Sequence, residues 1–507
     1  MKLRIGLAGL VAGLCVAASA EAASGPVVTL DTGKVVGQAA DGYAVYRGIP
    51  YAAAPVGPLR WQPPAPAKAW STLRDATQFG AVCPQVYSKG YTFKIEPTSE
   101  DCLFLNVWTP AKASAKPRPV MVWIHGGSWT IGSGSKPIYD GDAFAKDGVI
   151  LVSINYRLGA LGFFAHPALT AEAGPTAPLF AYGHMDQIAA LQWVQRNIAA
   201  FGGDPKNVTV FGESAGAGSI LHLMATPSAK GLFAKAIVES GPGFGLPKSL
   251  ASQEAKGAEF AKAHGAPDNA TAEQLRALPA EALMERNYDA APFADGRLTP
   301  EPVDKVFREG RQMPVPLIIG SNSDEGSLVK EYAALPNQMR LMYGAKAAQL
   351  KALYGDETPD DTTLGRVLFA DTVFGAASHW IAGKASQKAP TYLYRFTYVA
   401  ENERPNVKGA YHAAELPFVF DTLDKSWIKP TANDQKIAAE LHACWTGFAK
   451  HANHPCRAWK AYDRVTDQTL VVTEGGLDSV KAYRKAPYEV IESTLFERHP
   501  AAAKSGK

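Results

Sequence analysis

Downstream of Ala18 the chain has no apolar run approaching the ~20 residues that a membrane-crossing helix requires, which leaves no candidate transmembrane helix there. Neither sign of charge dominates: 51 Lys and Arg face 48 Asp and Glu, scattered along the chain for a formal net charge of +3. There is accordingly no basic stripe for nucleic acid and no polybasic patch for an anionic membrane. Glycine-rich phosphate cradles are missing too. Nothing matches a P-loop or a dinucleotide fingerprint, so no nucleotide cofactor is expected, and no metal or other cofactor is called for. Cysteine is scarce, at five. What is plentiful is apolar residues, 47% of 507, enough for one very large core or two ordinary ones.

Lys2 and Arg4 precede an apolar run from Ile5 to Ala18, followed by small residues at Ala18-Ser19-Ala20 and Ala20-Glu21-Ala22. This pattern is read as a cleaved secretory signal peptide over residues 1–23, with a mature start between Glu21 and Ser24, in the periplasm or medium. Cys15 suggests a lipidated cysteine, but Leu14 stands where a small residue should precede it. Removing the leader leaves Cys83, Cys102, Cys444 and Cys456. In an oxidising compartment the economical pairing is local, Cys83 with Cys102 and Cys444 with Cys456. The rival is a zinc-like cluster of Cys444, His451, His454 and Cys456.

Buried-strand runs recur at 119–125, 149–155, 208–211, 236–239, 315–320 and 391–398, with helical patterns between them. In the clearest of these, from Asp186 to Phe201, Ile188, Leu191, Val194 and Ile198 share one face before Gly202-Gly203 stops the helix. The alternation predicts an α/β fold with a large, mostly parallel central sheet and helices on both faces. Short alternating strands from Val27 to Arg47 predict antiparallel hairpins before the main sheet. Alanine-rich stretches from Ser249 to about Lys305 and from Glu331 to about Lys388 read as helical insertions over the sheet's carboxyl edge. With no repeat or linker, residues 24–507 are treated as a single catalytic domain.

Gly212-Glu213-Ser214-Ala215-Gly216 follows the strand-like Asn207 to Phe211 and opens a helical run to Met224. A serine at a sharp strand-to-helix bend has its hydroxyl presented to substrate, and the flanking glycines give room for the bend. The next amide, Ala215, lies at a helix N-terminus and can donate to a developing oxyanion. A serine hydroxyl needs a base, and the base needs an orienting carboxylate. Past the strand 315–320 come Ser323-Asp324-Glu325-Gly326, and spacing alone leaves Asp324 and Glu325 open. Of the histidines further on, His412 in a loop after the strand 391–398 is the best placed. Upstream, the strand Val120 to Ile124 runs into His125-Gly126-Gly127-Ser128-Trp129, where consecutive small residues leave backbone amides free to point into a cleft.

Together these residues resemble the type-B carboxylesterase family, the cholinesterase-like branch of the α/β-hydrolases, over essentially the whole mature chain. Tyr46-Arg47-Gly48-Ile49-Pro50-Tyr51-Ala52, Pro55-Val56-Gly57-Pro58-Leu59-Arg60-Trp61, Ser99 to Val107, and Phe201 to Pro205 running into Phe211 to Gly216 are similar to the family's signatures. The resemblance implies an α/β-hydrolase fold and a serine carboxylic-ester hydrolase that forms an acyl-enzyme. It implies Ser214, His412 and, as the acid before the glycine, Glu325 as catalytic residues. Oxyanion donors fall on Gly127, Ser128 and Ala215, with Gly126 shaping the loop and Ser219 supporting the triad. Cys83–Cys102 matches the family's first disulfide. The pattern departs at Ser128, where a third glycine or alanine is usual, and at Ala181-Tyr182-Gly183-His184-Met185-Asp186-Gln187.

The expected partner is a small-molecule ester, with neither nucleic acid nor stable membrane insertion; the sequence leaves the oligomeric state open, a monomer being favoured. Amides, thioesters or lactones are the near alternative, and a non-catalytic binding module the distant one. Trp129, Phe163, Phe164, Phe374 and Phe418 are candidates for an apolar pocket, although aromatics at strand ends more often pack in the core.

Overall fold

A computed structural model describes residues 25–87, 96–243, 248–285, 288–331 and 334–497. The leader and Cys15 lie outside the described residues. Among the described residues fourteen strands form, in chain order β1 (Val27–Leu30), β2 (Gly33–Val36), β3 (Gln38–Ala40), β4 (Tyr43–Pro50), β5 (Arg74–Asp75), β6 (Phe104–Pro110), β7 (Arg118–Ile124), β8 (Ile150–Ile154), β9 (Gly203–Glu213), β10 (Lys235–Glu239), β11 (Leu317–Asn322), β12 (Thr391–Phe396), β13 (Gln468–Thr473) and β14 (Gly476–Lys481). Eleven make one sheet in the order β14-β13-β12-β11-β10-β9-β7-β8-β6-β4-β3, and β1, β2 and β5 make a small second sheet.

The centre of the large sheet, from β8 through β7 and β9 to β13, is parallel. Its two flanks are antiparallel. The reason lies in the strand residues. Val120, Val122 and Ile124 of β7 belong to one hydrophobic cluster and Met121 and Trp123 to another, and Val208 and Val210 part from Phe211 in the same way. A strand apolar at every position is buried on both faces, which calls for helices on both sides. The Tyr182–Asn197 helix covers one face with Ile188, Leu191 and Val194. The Ala432–Lys450 helix covers the other with Ile437, Leu441, Trp445 and Phe448.

Three differences from the sequence reading have physical causes. The helix expected from Asp186 begins at Tyr182, because Asp186 is an internal anchor and not a cap. Its carboxylate receives Arg157 Nε and Nη2 at 2.8 and 2.7 Å and the Arg157 amide at 3.0 Å, with both side chains buried. β6 passed unrecognised although Leu105 and Val107 are buried in it; its Asn106, whose side chain bonds Ser153 Oγ and the Gly48 amide, interrupts the apolar run. Beyond Ala263 the described residues of the first insertion form short helices, Ala272–Arg276, the 3-10 turn Glu281–Leu283 and Val303–Arg308, with irregular chain between them.

The second insertion is helical as expected, with Leu335–Tyr343, Lys346–Tyr354, Asp361–Ala370 and Ala376–Ala385, and a separate apolar cluster packs it on Tyr488 and Ile491 of the Lys485–Glu497 helix. Both disulfides form as paired by sequence, Cys83–Cys102 and Cys444–Cys456, with Cα separations of 5.0 and 4.8 Å.

Candidate active site

β9 ends at Glu213 and the next helix begins at Ala215, so Ser214 alone makes the turn, at φ 54° and ψ −119°. A non-glycine residue there is strained by ~1–3 kcal/mol and persists only when its surroundings over-determine it. The Ser214 amide donates to Glu239 O at 2.9 Å, and its carbonyl accepts from the Gly218 amide at 2.9 Å. The two motif glycines are required by the end of β7: a Cβ on Gly212 would lie 2.5 Å from Ile124 O and one on Gly216 1.9 Å from the same atom. The bend is thereby pressed onto the parallel sheet, leaving Ser214 partly exposed beyond its carboxyl edge.

His412 is delivered by a loop clipped to the end of β11. The Asp324 amide donates to Ala410 O at 2.7 Å, the Ala410 amide to Ser323 Oγ at 2.9 Å, and the His412 amide to Ser327 Oγ at 3.0 Å. His412 Nδ1 then lies 2.5 Å from Glu325 Oε2. Glu325 is fully buried, and its other oxygen accepts from Ser240 Oγ at 2.5 Å and the Asn322 amide at 2.8 Å. Burial opposes its charge, but the His412 imidazole and these donors outweigh it, holding the carboxyl below its ordinary range. Asp324 instead receives Arg366 Nη2 at 2.9 Å. Of the two acids left open by spacing, only Glu325 meets the imidazole.

The other imidazole nitrogen has an unexpected neighbour. Nε2 is 3.0 Å from Glu213 Oε1, and no hydrogen bond joins the ring to Ser214 Oγ in this structure. A carboxylate on each side of the ring favours its doubly protonated form. Burial disfavours that charge, yet the Glu213 and Glu325 carboxylates prevail and hold the His412 pKa well above its ordinary value. Behind them lie two more buried carboxyls. Burial, then the charges of Glu213 and Glu325, push Glu415 up to about 8, and burial with Glu415 as neighbour raises Glu239 strongly. Both carboxyls are thereby pushed toward the neutral form, with Asn322 Nδ2 donating to Glu415 and Trp445 Nε1 to Glu239.

Gly126 and Gly127 form the facing wall. A Cβ on Gly126 would sit 2.7 Å from Glu213 Oε2, and Gly127, at φ 110°, would place one 2.2 Å from Ile131 O. Ser128 and Trp129 follow at φ 55° and 57°. The Cβ at Ser128 is therefore tolerated in the left-handed region, at a cost in strain. Among the described residues the amides of Gly127 and Ser128 have no acceptor, and Ala215 contributes the first amide of its helix, which has no intrahelical one. His125 is not a base: burial drives its pKa to about 3, and it stacks on Tyr156 at 4.4 Å.

A model of the carboxylesterase family matches residues 24–490. The chain belongs to that family. It is 38% identical to a para-nitrobenzyl esterase of Bacillus subtilis (strain 168) over 477 residues, covering 88% of this chain and 94% of the relative. A fumonisin B1 esterase of Sphingopyxis macrogoltabida is 37% identical over 432 residues, covering 80% and 78%. A solved PNB esterase structure superposes with a TM-score of 0.82 at 35% identity, and a Geobacillus stearothermophilus carboxylesterase with 0.79 at 34%, each over 92% of this chain and 99% of the other. This carboxylesterase is thus an enzyme, an esterase of the serine-hydrolase type.

Of the residues singled out by sequence, Ser219 does not touch His412 or Glu325; its hydroxyl accepts from Trp129 Nε1 at 2.9 Å and Gln187 Nε2 at 3.0 Å. Phe374 stands on a π-helical turn, Asp371–Gly375, with its ring 5.2 Å from the imidazole. Phe163, Phe164 and Phe418 are core residues, at most 1% exposed. Glu213, Ser240, Asn322, Glu239 and Glu415 escaped the sequence reading. Glu213 occupies a variable position of the motif, where spacing says nothing. Ser240 had a signal: it directly follows β10 at the carboxyl edge, where such sheets gather their functional groups.

Proposed function

We propose that this carboxylesterase hydrolyses small-molecule carboxylic esters through Ser214, His412 and Glu325, by way of an acyl-enzyme. The observation that carries the reading is the 2.5 Å contact between His412 Nδ1 and the buried Glu325, at the mouth of a strained bend that presents Ser214. Neutral His412 takes the hydroxyl proton at Nε2 as Ser214 Oγ attacks the ester carbonyl. The imidazolium that forms is stabilised by Glu325. The tetrahedral oxyanion is met by the amides of Gly127, Ser128 and Ala215, each worth ~3 kcal/mol of barrier. The alcohol departs with the proton from Nε2. Water, deprotonated by the same nitrogen, then attacks the acyl carbon and releases the acid and free Ser214. Phe374 beside the imidazole supports an apolar group at the reacting centre.

The test is turnover of p-nitrophenyl esters by single variants. Ser214→Ala and His412→Ala should each lower kcat by ~10⁴-fold or more with the fold retained. Glu325→Gln should also lower kcat. Wild-type turnover in any of the three would overturn the assignment. Residues 24–507 act as one monomeric catalytic unit, exported by the leader 1–23, a reading supported by two disulfides whose persistence suits an oxidising compartment. Recovery of the protein outside the cytoplasm with its N-terminus between Glu21 and Ser24 is the expected result; full-length protein confined to the cytoplasm would contradict it.

A further inference from the structure

The amides that face the reacting carbonyl come from two unconnected pieces of chain: Gly127 and Ser128 from the loop after β7, and Ala215 from the helix Ala215–Ala225. Their spacing has to be fixed by something other than the chain between them. The loop is the weak partner, because Ser128 and Trp129 are consecutive non-glycine residues in the left-handed region, at φ 55° and 57°. Left alone, such a pair would relax.

Two bonds converge on Trp129. Its carbonyl accepts from the Gly159 amide at 2.7 Å. Its indole Nε1 donates to Ser219 Oγ at 2.9 Å, and Ser219 lies on the same helix that starts at the nucleophile. The indole lies against that helix, since a Cβ on Gly218 would come within 2.9 Å of Trp129 Cζ2. The Ser219 hydroxyl is itself held, because Gln187 Nε2 donates to it at 3.0 Å. Gln187 is held in turn: its Oε1 lies 3.0 Å from His184 Nδ1. All four side chains are at most 9% exposed, and Ser219 and Gln187 are fully buried. Burial keeps His184 neutral, with a pKa lowered to about 4, and because Nδ1 faces the Gln187 carbonyl oxygen, an acceptor, the tautomer with Nδ1–H is the one that makes this bond.

We propose that the Trp129–Ser219 hydrogen bond is a tie between the two halves of the oxyanion site, with Gln187 and His184 as positioning residues behind it. The tie acts on the tetrahedral species and not on the bound ester. A carbonyl oxygen in the ground state asks little of the amides, whereas the oxyanion needs all of them at bonding distance. Loss of the tie therefore appears in kcat. This inference rests on the oxyanion role given above to the Ser128 amide.

Trp129→Phe removes the N–H and keeps an aromatic ring in place; Ser219→Ala removes the acceptor. For each, kcat on a p-nitrophenyl ester should fall about tenfold with KM within about twofold, as for loss of one buried hydrogen bond acting only in the transition state. The inhibition constant of an aryl trifluoromethyl ketone, whose hemiketal copies the tetrahedral species, should rise in step with the fall in kcat. The double variant should be no worse than the worse single one, since either change breaks the same bond. Should Ser219→Ala fail to fold, Trp129→Phe carries the test alone. A Trp129→Phe enzyme with wild-type kcat and ketone affinity, or one changed only in KM, overturns the tie. If the wild-type enzyme itself forms no hemiketal with the ketone, the underlying reading of the site fails instead.

Discussion

Glu213 is the residue on which the site's resting charge turns. With Nε2 3.0 Å from its carboxylate and Nδ1 on Glu325, the His412 imidazole has an acid beside each nitrogen, and both favour its protonated form. On the proposed mechanism the neutral ring is the base, so kcat/KM should rise with pH through the His412 pKa, which stands above its ordinary value. Removing the Glu213 charge takes away the largest of the raising effects. Glu213→Gln should move the acidic limb of the kcat/KM profile to lower pH, as read from initial rates across a pH series. An unmoved limb would remove Glu213 from the titration. A second prediction concerns room: Gly216→Ala puts a methyl group 1.9 Å from Ile124 O with only backbone to give way. It should cost ~1–3 kcal/mol in denaturant unfolding and most of kcat; a variant as stable and active as wild type would contradict the packing of the bend on β7.

At the level of elements, His379 on the Ala376–Ala385 helix joins the chain's C-terminal part to the sheet. Its Nδ1 is 2.7 Å from Glu492 on the Lys485–Glu497 helix, and its Nε2 is 3.1 Å from Asp467 beside β13 and 3.2 Å from Tyr462 OH, while Arg464 reaches Glu492 at 3.5 Å. Burial alone would lower the His379 pKa, but the two carboxylates raise it to about 9. A histidine raised in the folded state stabilises fully below its unfolded pKa of about 6.5, and that contribution is lost as pH rises through about 9. His379→Gln should therefore destabilise by ~3 kcal/mol at pH 6, with the difference narrowing above pH 9, measured as unfolding midpoints across pH. Equal midpoints at pH 6 would show that the cluster contributes nothing.

The same helix shows what a sequence can and cannot disclose. His379 falls in an apolar helical pattern, and its partners lie 88 and 113 residues away. Periodicity marks the burial and is silent about such distant ions. The parallel strands from β7 to β12 were legible because each is apolar on both faces. β6 was not, because buried Asn106 spends its side chain on Ser153 and Gly48 and looks like a break in the run. Ser214 stood out because its flanking glycines obey a steric rule, and His412 because it follows a strand in a loop, whereas only the family resemblance separated Glu325 from Asp324. Glu239 and Glu415 did not stand out, since a carboxyl that burial pushes toward the neutral form has the same letter as one exposed to solvent.

At the scale of the whole molecule, the parallel sheet acts as a ruler. β7, β9, β10 and β11 lie side by side, and from or just past their carboxyl ends come the oxyanion loop, Ser214, Ser240 and Glu325. Only His412 comes from a loop unsupported by a strand end, and it is clipped to Ser323, Asp324 and Ser327 beside the acid. The fold thereby concentrates five distant segments at one mouth, and the central claim is that they form one nucleophilic centre. Mass analysis after titration with an organophosphonate ester tests it most directly. One equivalent bound, found on the peptide carrying Ser214 and accompanied by complete loss of esterase activity, is the predicted result. Full inactivation with the label on another residue, or full activity with Ser214 phosphonylated, would contradict it.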